Sequence, residues 1–75
     1  MDESDRDTAE ERVQHLLVAL ERRTVIGQAT GILIERYTLS PEAAFAALAR
    51  VSSERNRKLY DIAEQLVAEG HSEGL

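Results

Sequence analysis

Apolar positions in this chain recur with helical rather than strand spacing, in three blocks. The first block runs from about Thr8 to Arg36. At about 100° per residue, Val13, Leu16, Leu17 and Leu20 share one face, whereas Val25, Ile26, Ala29, Ile32 and Leu33 share a face roughly opposite. No Gly or Pro interrupts Glu21 to Thr24, and Arg22 and Arg23 are good helix formers, so the pattern predicts one continuous helix with two apolar stripes. Asp7 or Thr8 is its expected cap. The later stripe is expected to face the core and the earlier one a second chain. The series Val13, Leu17, Leu20, Thr24, Gly27, Gly31, Ile34 keeps the 4,3 spacing of a coiled-coil seam. In the alternative, the early leucines cover another part of the same chain, but the later helices look too short to reach them.

The second block, LSPEAAFAALARVSS, opens with Ser40 as N-cap, Pro41 in the first helical position and Glu42 against the dipole. Ala44, Phe45, Leu48 and Val51 form its expected buried stripe. Tyr37, Thr38 and Leu39 make a connection short enough to force an antiparallel turn. Thr38 stands where a helix terminator prefers Gly. In the third block Leu59, Ile62, Ala63, Leu66 and Val67 fall on one face, with Asn56 as expected cap and Gly70 as expected stop. The predicted fold is all-α: a three-helix bundle with a long first helix whose N-terminal half forms a coiled-coil dimer seam at Val13, Leu16, Leu17 and Leu20. The expected organisation is an acidic disordered head over 1–7, the coiled-coil half over 8–20, a three-helix domain over 21–70 and a frayed tail over 71–75.

Within the first helix Gly27 and Gly31 form a GxxxG, and each glycine costs a helix about 1 kcal/mol relative to alanine. That cost asks for a close neighbour, either a second helix or a ligand.

Seventy-five residues allow one domain with a small core, so a partner chain would help stability. The absence of cysteine removes disulfides, thiolate catalysis and sulfur-ligated metal sites. No apolar run approaches a membrane span and the start is acidic where a secretory signal is basic, which points to a cytoplasmic chain. Charge is segregated. Residues 1–11 hold six acids and one base, residues 12–58 eight bases and four acids, and the remainder four acids and no base. The formal net charge of -5 therefore hides a basic middle.

Reading Asn56 as a cap places Arg57 and Lys58 in the first turn of the third helix, where cations oppose the dipole. Free N–H groups with added bases suit a phosphate. The alternative pairs Arg57 and Lys58 with Asp61 and Glu54. Arg36 and Arg50 extend the patch or lie along the bundle surface, and Tyr60 either stacks on a base or covers a helix seam. Catalysis finds no support: His15 and His71 are far apart in sequence, no HExxH or phosphate-cradling loop exists, and Ser52 and Ser53 lack an obvious base. No cofactor or metal is expected.

Taken together, IGQATGILIERYTLSPEAAFAALARVSSERNRKLYDIAEQLV resembles the ANTAR domain, the bacterial RNA-binding module of transcription antitermination regulators. The likeness runs from about Leu20 to Val67. It rests on Arg23, Ile26-Gly27-Gln28-Ala29, Gly31-Ile32-Leu33, Glu35-Arg36, Leu39-Ser40, Glu42-Ala43, Phe45, Leu48, Arg50, Ser52, Asn56, Lys58-Leu59 and Ile62-Ala63. The resemblance implies a dimer that binds paired hairpins in nascent mRNA and prevents terminator formation, with RNA-binding positions at Ala29, Gly31, Arg36, Asn56 and Lys58. The residues themselves add Arg57 and Arg50 as phosphate holders and Gln28 and Thr30 as base readers. Thr30 stands where the family often has Lys, and Thr38 where it usually has Gly. Such domains usually follow a receiver or ligand-sensing domain, and nothing of that kind fits in residues 1–19, so the expectation is either a stand-alone member or an excised fragment, with an upstream sensor or receiver as a candidate partner. The competing reading is a small helical dimerisation or protein-interaction module without RNA binding.

Overall fold

The computed structural model describes the backbone of residues 3–74 and the side chains of residues 8–70. The expected acidic head over 1–7 and frayed tail over 71–75 lie outside the described side chains. Three helices follow in order: α1 over Glu3–Tyr37, α2 over Pro41–Arg55 and α3 over Leu59–Gly74. No strand occurs among the described residues.

The first helix crosses Glu21 to Thr24 without a break, as its lack of Gly or Pro predicts. Helical backbone is already under way at Asp7 and Thr8, so neither opens it. Beyond Tyr37 the chain reverses on Thr38, whose φ of 54 lies in the left-handed region, and the Leu39 N–H donates back to the Ile34 carbonyl at 3.3 Å. That bond is the outer closure of a helix C-terminus normally built on glycine. A β-branched residue holds the position here, at a conformational cost of about 1–2 kcal/mol.

Ser40 then caps α2: its backbone is extended and its hydroxyl accepts from the Ala43 N–H at 3.1 Å. Ala29, Ala44, Leu48, Ile62 and Ala63 form the buried centre, one or two residues from each helix. Three of the five are alanines, so the helices approach closely instead of interleaving large side chains. Val25, Ile26, Leu33, Val51, Leu59, Leu66 and Val67 ring this centre half-exposed. Phe45, expected in the buried stripe, is instead 48% exposed, because it lies a quarter-turn from Ala44 at the edge of that stripe.

Two contacts fix how α3 lies on α1. Arg22 sits over the Tyr60 ring, and Gly70 faces Ile32, whose Cδ1 would lie 2.9 Å from a Cβ built on the glycine. The same residue offset separates both pairs, so α3 runs alongside α1 in the same direction. Gly70 does not stop α3. It has no positive φ, and the helix continues to Gly74, so this glycine gives Ile32 room at the α1–α3 seam.

Candidate nucleic-acid interface

The corner between α2 and α3 is where sequence and structure part most usefully. Asn56 does not open α3. It closes α2 in the left-handed conformation, φ 52 and ψ 43, with its N–H donating to the Ser53 carbonyl at 3.2 Å and the Arg57 N–H to the Ser52 carbonyl at 3.0 Å. Asparagine tolerates this conformation because its short polar side chain carries little steric penalty there. Ser52 binds the corner a second time, its hydroxyl donating to the Arg57 carbonyl.

Arg57 and Lys58 consequently precede α3 rather than filling its first turn. The Ile62 N–H donates to the Lys58 carbonyl at 3.2 Å, which makes Lys58 the cap residue, while Asp61 provides the acid in the first turn. The expected conflict between cations and dipole is thereby reduced to one position, Lys58. Its ammonium makes no ion pair among the described residues. The Arg57 guanidinium donates from Nη1 to Gln65 Oε1 at 3.0 Å, an exposed and neutral partner that leaves its charge uncompensated. Neither residue pairs with Asp61 or Glu54. Glu54 is held by Arg50, 3.0 Å from Nε, so Arg50 meets a phosphate only by giving up that exposed pair.

Along α1 the expected binding residues divide. Gln28, Gly31 and Arg36 are exposed, and a Cβ built on Gly27 or Gly31 meets nothing within 4 Å. Thr30 is half-buried, and its hydroxyl donates to the Ile26 carbonyl at 2.7 Å, keeping acceptor capacity alone for a ligand. Ala29 is fully buried beside Leu48 and Ile62, so the expectation that it meets RNA is corrected: it is a packing residue on the core face. Arg36 is also removed from the α3 entrance. It lies fourteen residues along α1 from Arg22, about 21 Å at 1.5 Å per residue, and so at the other end of the bundle from Lys58. The nine candidates therefore form no single patch. Asn56, Arg57 and Lys58 make one basic corner, with Arg22 of α1 over the neighbouring Tyr60; Gln28 and Gly31 lie on the exposed side of α1, and Arg36 lies past the end of its core-facing stripe.

Tyr60, half-buried, covers the α1–α3 seam. Its hydroxyl donates to Glu64 Oε2 at 2.8 Å, and that bond, with desolvation and the Glu64 and Glu21 charges, raises its pKa above the ordinary phenol value despite Arg22 over the ring. It stays neutral and occupied rather than free to stack.

The early stripe of α1 is bare: Val13, Leu16, Leu17 and Leu20 are all more than half exposed. No other part of the described chain covers them. Sequence reasoning assigns no site role to Ser52, Phe45, Val18, Arg22 or Arg23. A usable signal exists for three of these, since Arg23, Phe45 and Ser52 stand among the positions that carry the resemblance.

The family model of the ANTAR domain matches residues 14–67, most of the chain, and the chain belongs to that family. ANTAR domains are RNA-binding modules of antitermination regulators. No curated protein and no solved structure matches the chain. No helix of the described residues is long and apolar enough to cross a membrane.

Proposed function

We propose that this ANTAR-domain chain is an RNA-binding transcription antitermination regulator that acts as a homodimer, binds paired hairpins in nascent mRNA and prevents the terminator hairpin from forming. The observation that carries this reading is the α2–α3 corner. Arg57 and Lys58 project from a backbone pinned by Ser52 and Asn56, with no carboxylate paired to either among the described residues, in a chain whose net charge is -5. Charge concentrated against the overall balance favours an anionic ligand. Exposed Gln28 and Asn56 are polar groups able to read unpaired bases, the usual target of sequence-specific RNA recognition. The bare leucine stripe supports the homodimer, and two copies would present two corners to two hairpins. As a cytoplasmic regulator it would take its signal from a sensor or receiver partner.

Binding of a two-hairpin RNA is measured against a matched single hairpin and a DNA duplex at two salt concentrations. About four neutralised phosphates give a slope of log affinity on log salt near -3, at roughly 0.7 per contact. The two-hairpin RNA is expected to bind tightest, and Lys58→Ala and Arg57→Ala to weaken it. Equal affinity for all three nucleic acids, or unchanged binding by both variants, would replace this reading with the protein-interaction module.

A further inference from the structure

An open notch of about 730 Å³ lies where the projecting half of α1 meets the ends of α2 and α3, lined chiefly by Val18, Arg22, Arg23, Ile26, Phe45 and Leu59. That volume falls within the range of about 300–1,000 Å³ usual for ligand sites. Its wall is apolar and its charged rim is arginine, with no carboxylate among the lining residues. We propose that this notch receives an unpaired RNA base, stacked on Phe45, while Arg22, Arg23 and the adjoining Arg57 and Lys58 hold the flanking phosphates. The proposal rests on the RNA-binding reading above and adds to it a base subsite.

Three observations favour this occupant. First, the notch combines a flat apolar surface with cations, the pairing that single-stranded nucleic acid satisfies with base and backbone together. Phe45 is 48% exposed although neighbours Ala44 and Leu48 are buried, so about half of this side chain is open to a ligand. Second, the notch borders the entrance of α3: Leu59 lines it, and Lys58 immediately precedes Leu59 in the chain. Of the acids beside this end of α3, Glu64 is engaged by the Tyr60 hydroxyl. Third, most of the notch lies off the leucine stripe: at about 100° per residue, Val18 and Arg22 fall on the far side of α1 from Val13 and Leu20, while Arg23 borders the stripe beside Leu16. Arg22 is also held in place at the rim, its guanidinium 5.3 Å from the centre of the Tyr60 ring.

The chain contains no tryptophan, so Phe45→Trp supplies a single fluorescent reporter inside the notch. The probe is RNA enriched by the wild-type protein from a pool of tandem hairpins with randomised loops, and the same RNA carrying abasic loop positions. Expected are quenching of the indole fluorescence of Phe45→Trp by the intact RNA, and a loss of about tenfold or more for Phe45→Ala, as for removal of one stacked base. Its salt slope should stay that of the wild type, whereas Arg23→Gln should make it shallower. Against the RNA lacking the decisive base, Phe45→Ala should bind as the wild type does. Val18→Glu, at an exposed site away from the buried centre, repeats the test without removing the ring. Unquenched fluorescence with wild-type affinity in Phe45→Ala and Val18→Glu overturns the notch while leaving RNA binding intact. Failure of the wild-type protein to enrich any RNA overturns the RNA-binding reading itself. Displacement of the RNA-induced quenching by an acidic peptide, with no loss of RNA affinity in the variants, assigns the notch to a protein partner and overturns the base subsite.

Discussion

Ser52 and Arg57 are joined by two hydrogen bonds of opposite sense: the Arg57 N–H donates to the Ser52 carbonyl at 3.0 Å, and the Ser52 hydroxyl donates to the Arg57 carbonyl. The first belongs to the left-handed closure of α2, while the second depends on the side chain alone. Ser52→Ala should therefore keep the helix end and loosen the peptide that leads into Lys58. The expected destabilisation in urea is about 0.5–1.5 kcal/mol, the usual net value of one hydrogen bond. RNA affinity should fall by less than in Lys58→Ala, with an unchanged salt slope, because no phosphate contact is removed. A salt slope as shallow as that of Lys58→Ala would show that Ser52 acts on phosphate directly.

Thr38 and Asn56 both occupy left-handed positions, φ 54 and φ 52, but they tolerate them unequally. Threonine carries a branched Cβ into a region that disfavours it, whereas asparagine enters readily. Thr38→Gly should raise stability by about 1 kcal/mol, the relief being partly offset by glycine's larger entropy when unfolded. Asn56→Gly should change it by much less. Chemical denaturation of both variants checks the order, and a loss of stability in Thr38→Gly would contradict the assigned strain.

Much of this architecture is legible in the sequence alone. The unbroken α1 follows from helix formers across Glu21 to Thr24, and Ser40-Pro41-Glu42 marks the start of α2 unambiguously because cap, ring and acid agree. The α2–α3 corner is not legible, for a physical reason. Asparagine serves equally as an N-cap and as a left-handed terminator, and only the Arg57 to Ser52 closure decides between them. Ala29 teaches the converse: periodicity places it on the core face, the resemblance places it on RNA, and its burial follows the periodicity. Phe45 departs from the expected stripe because one residue of rotation separates the buried face from the notch.

Gly27 and Gly31 differ from Gly70 in what surrounds them. A Cβ at either of the first two meets open space, whereas at Gly70 it would press on the end of the Ile32 side chain. Gly31→Ala should thus stabilise the folded chain by about 1 kcal/mol through helix propensity alone. If an RNA loop or a second helix approaches that edge of α1, the same substitution should weaken RNA binding or dimerisation while the melting temperature rises. Gly70→Ala gains the same propensity but must displace the Ile32 Cδ1, so its net effect should be smaller.

Tyr60 supplies a pH reporter for the α1–α3 seam. Its folded pKa is raised, first through the hydrogen bond to Glu64, so the fold favours the neutral phenol. This contribution to stability is fully present below the unfolded phenol pKa near 10 and is lost as pH rises through the higher folded value. In a Tyr37→Phe background, an NMR titration of the remaining tyrosine should show its midpoint above that of a model peptide. Glu64→Gln should bring it down by removing the carboxylate acceptor and its charge. A midpoint that Glu64→Gln leaves unmoved would assign the shift to desolvation instead.

The exposed stripe of Val13, Leu16, Leu17 and Leu20 is the feature the folded monomer explains least, since α2 and α3 pack on the opposite face of α1 and further along it. Side chains of this size left in water forgo about 1.5–3 kcal/mol each on full burial, a large sum for a chain whose buried centre is mostly alanine. A second copy meeting the stripe recovers part of it. Sedimentation of the wild type should give twice the chain mass, and Leu17→Asp, which adds a charge at the seam, should give the monomer. Because Leu17 is 57% exposed, this variant should retain the helical circular dichroism of the three-helix part while its melting temperature loses its dependence on protein concentration. A dimer that survives Leu17→Asp would move the interface off this stripe, and the open edge at Gly27 and Gly31 would then be the next surface to test.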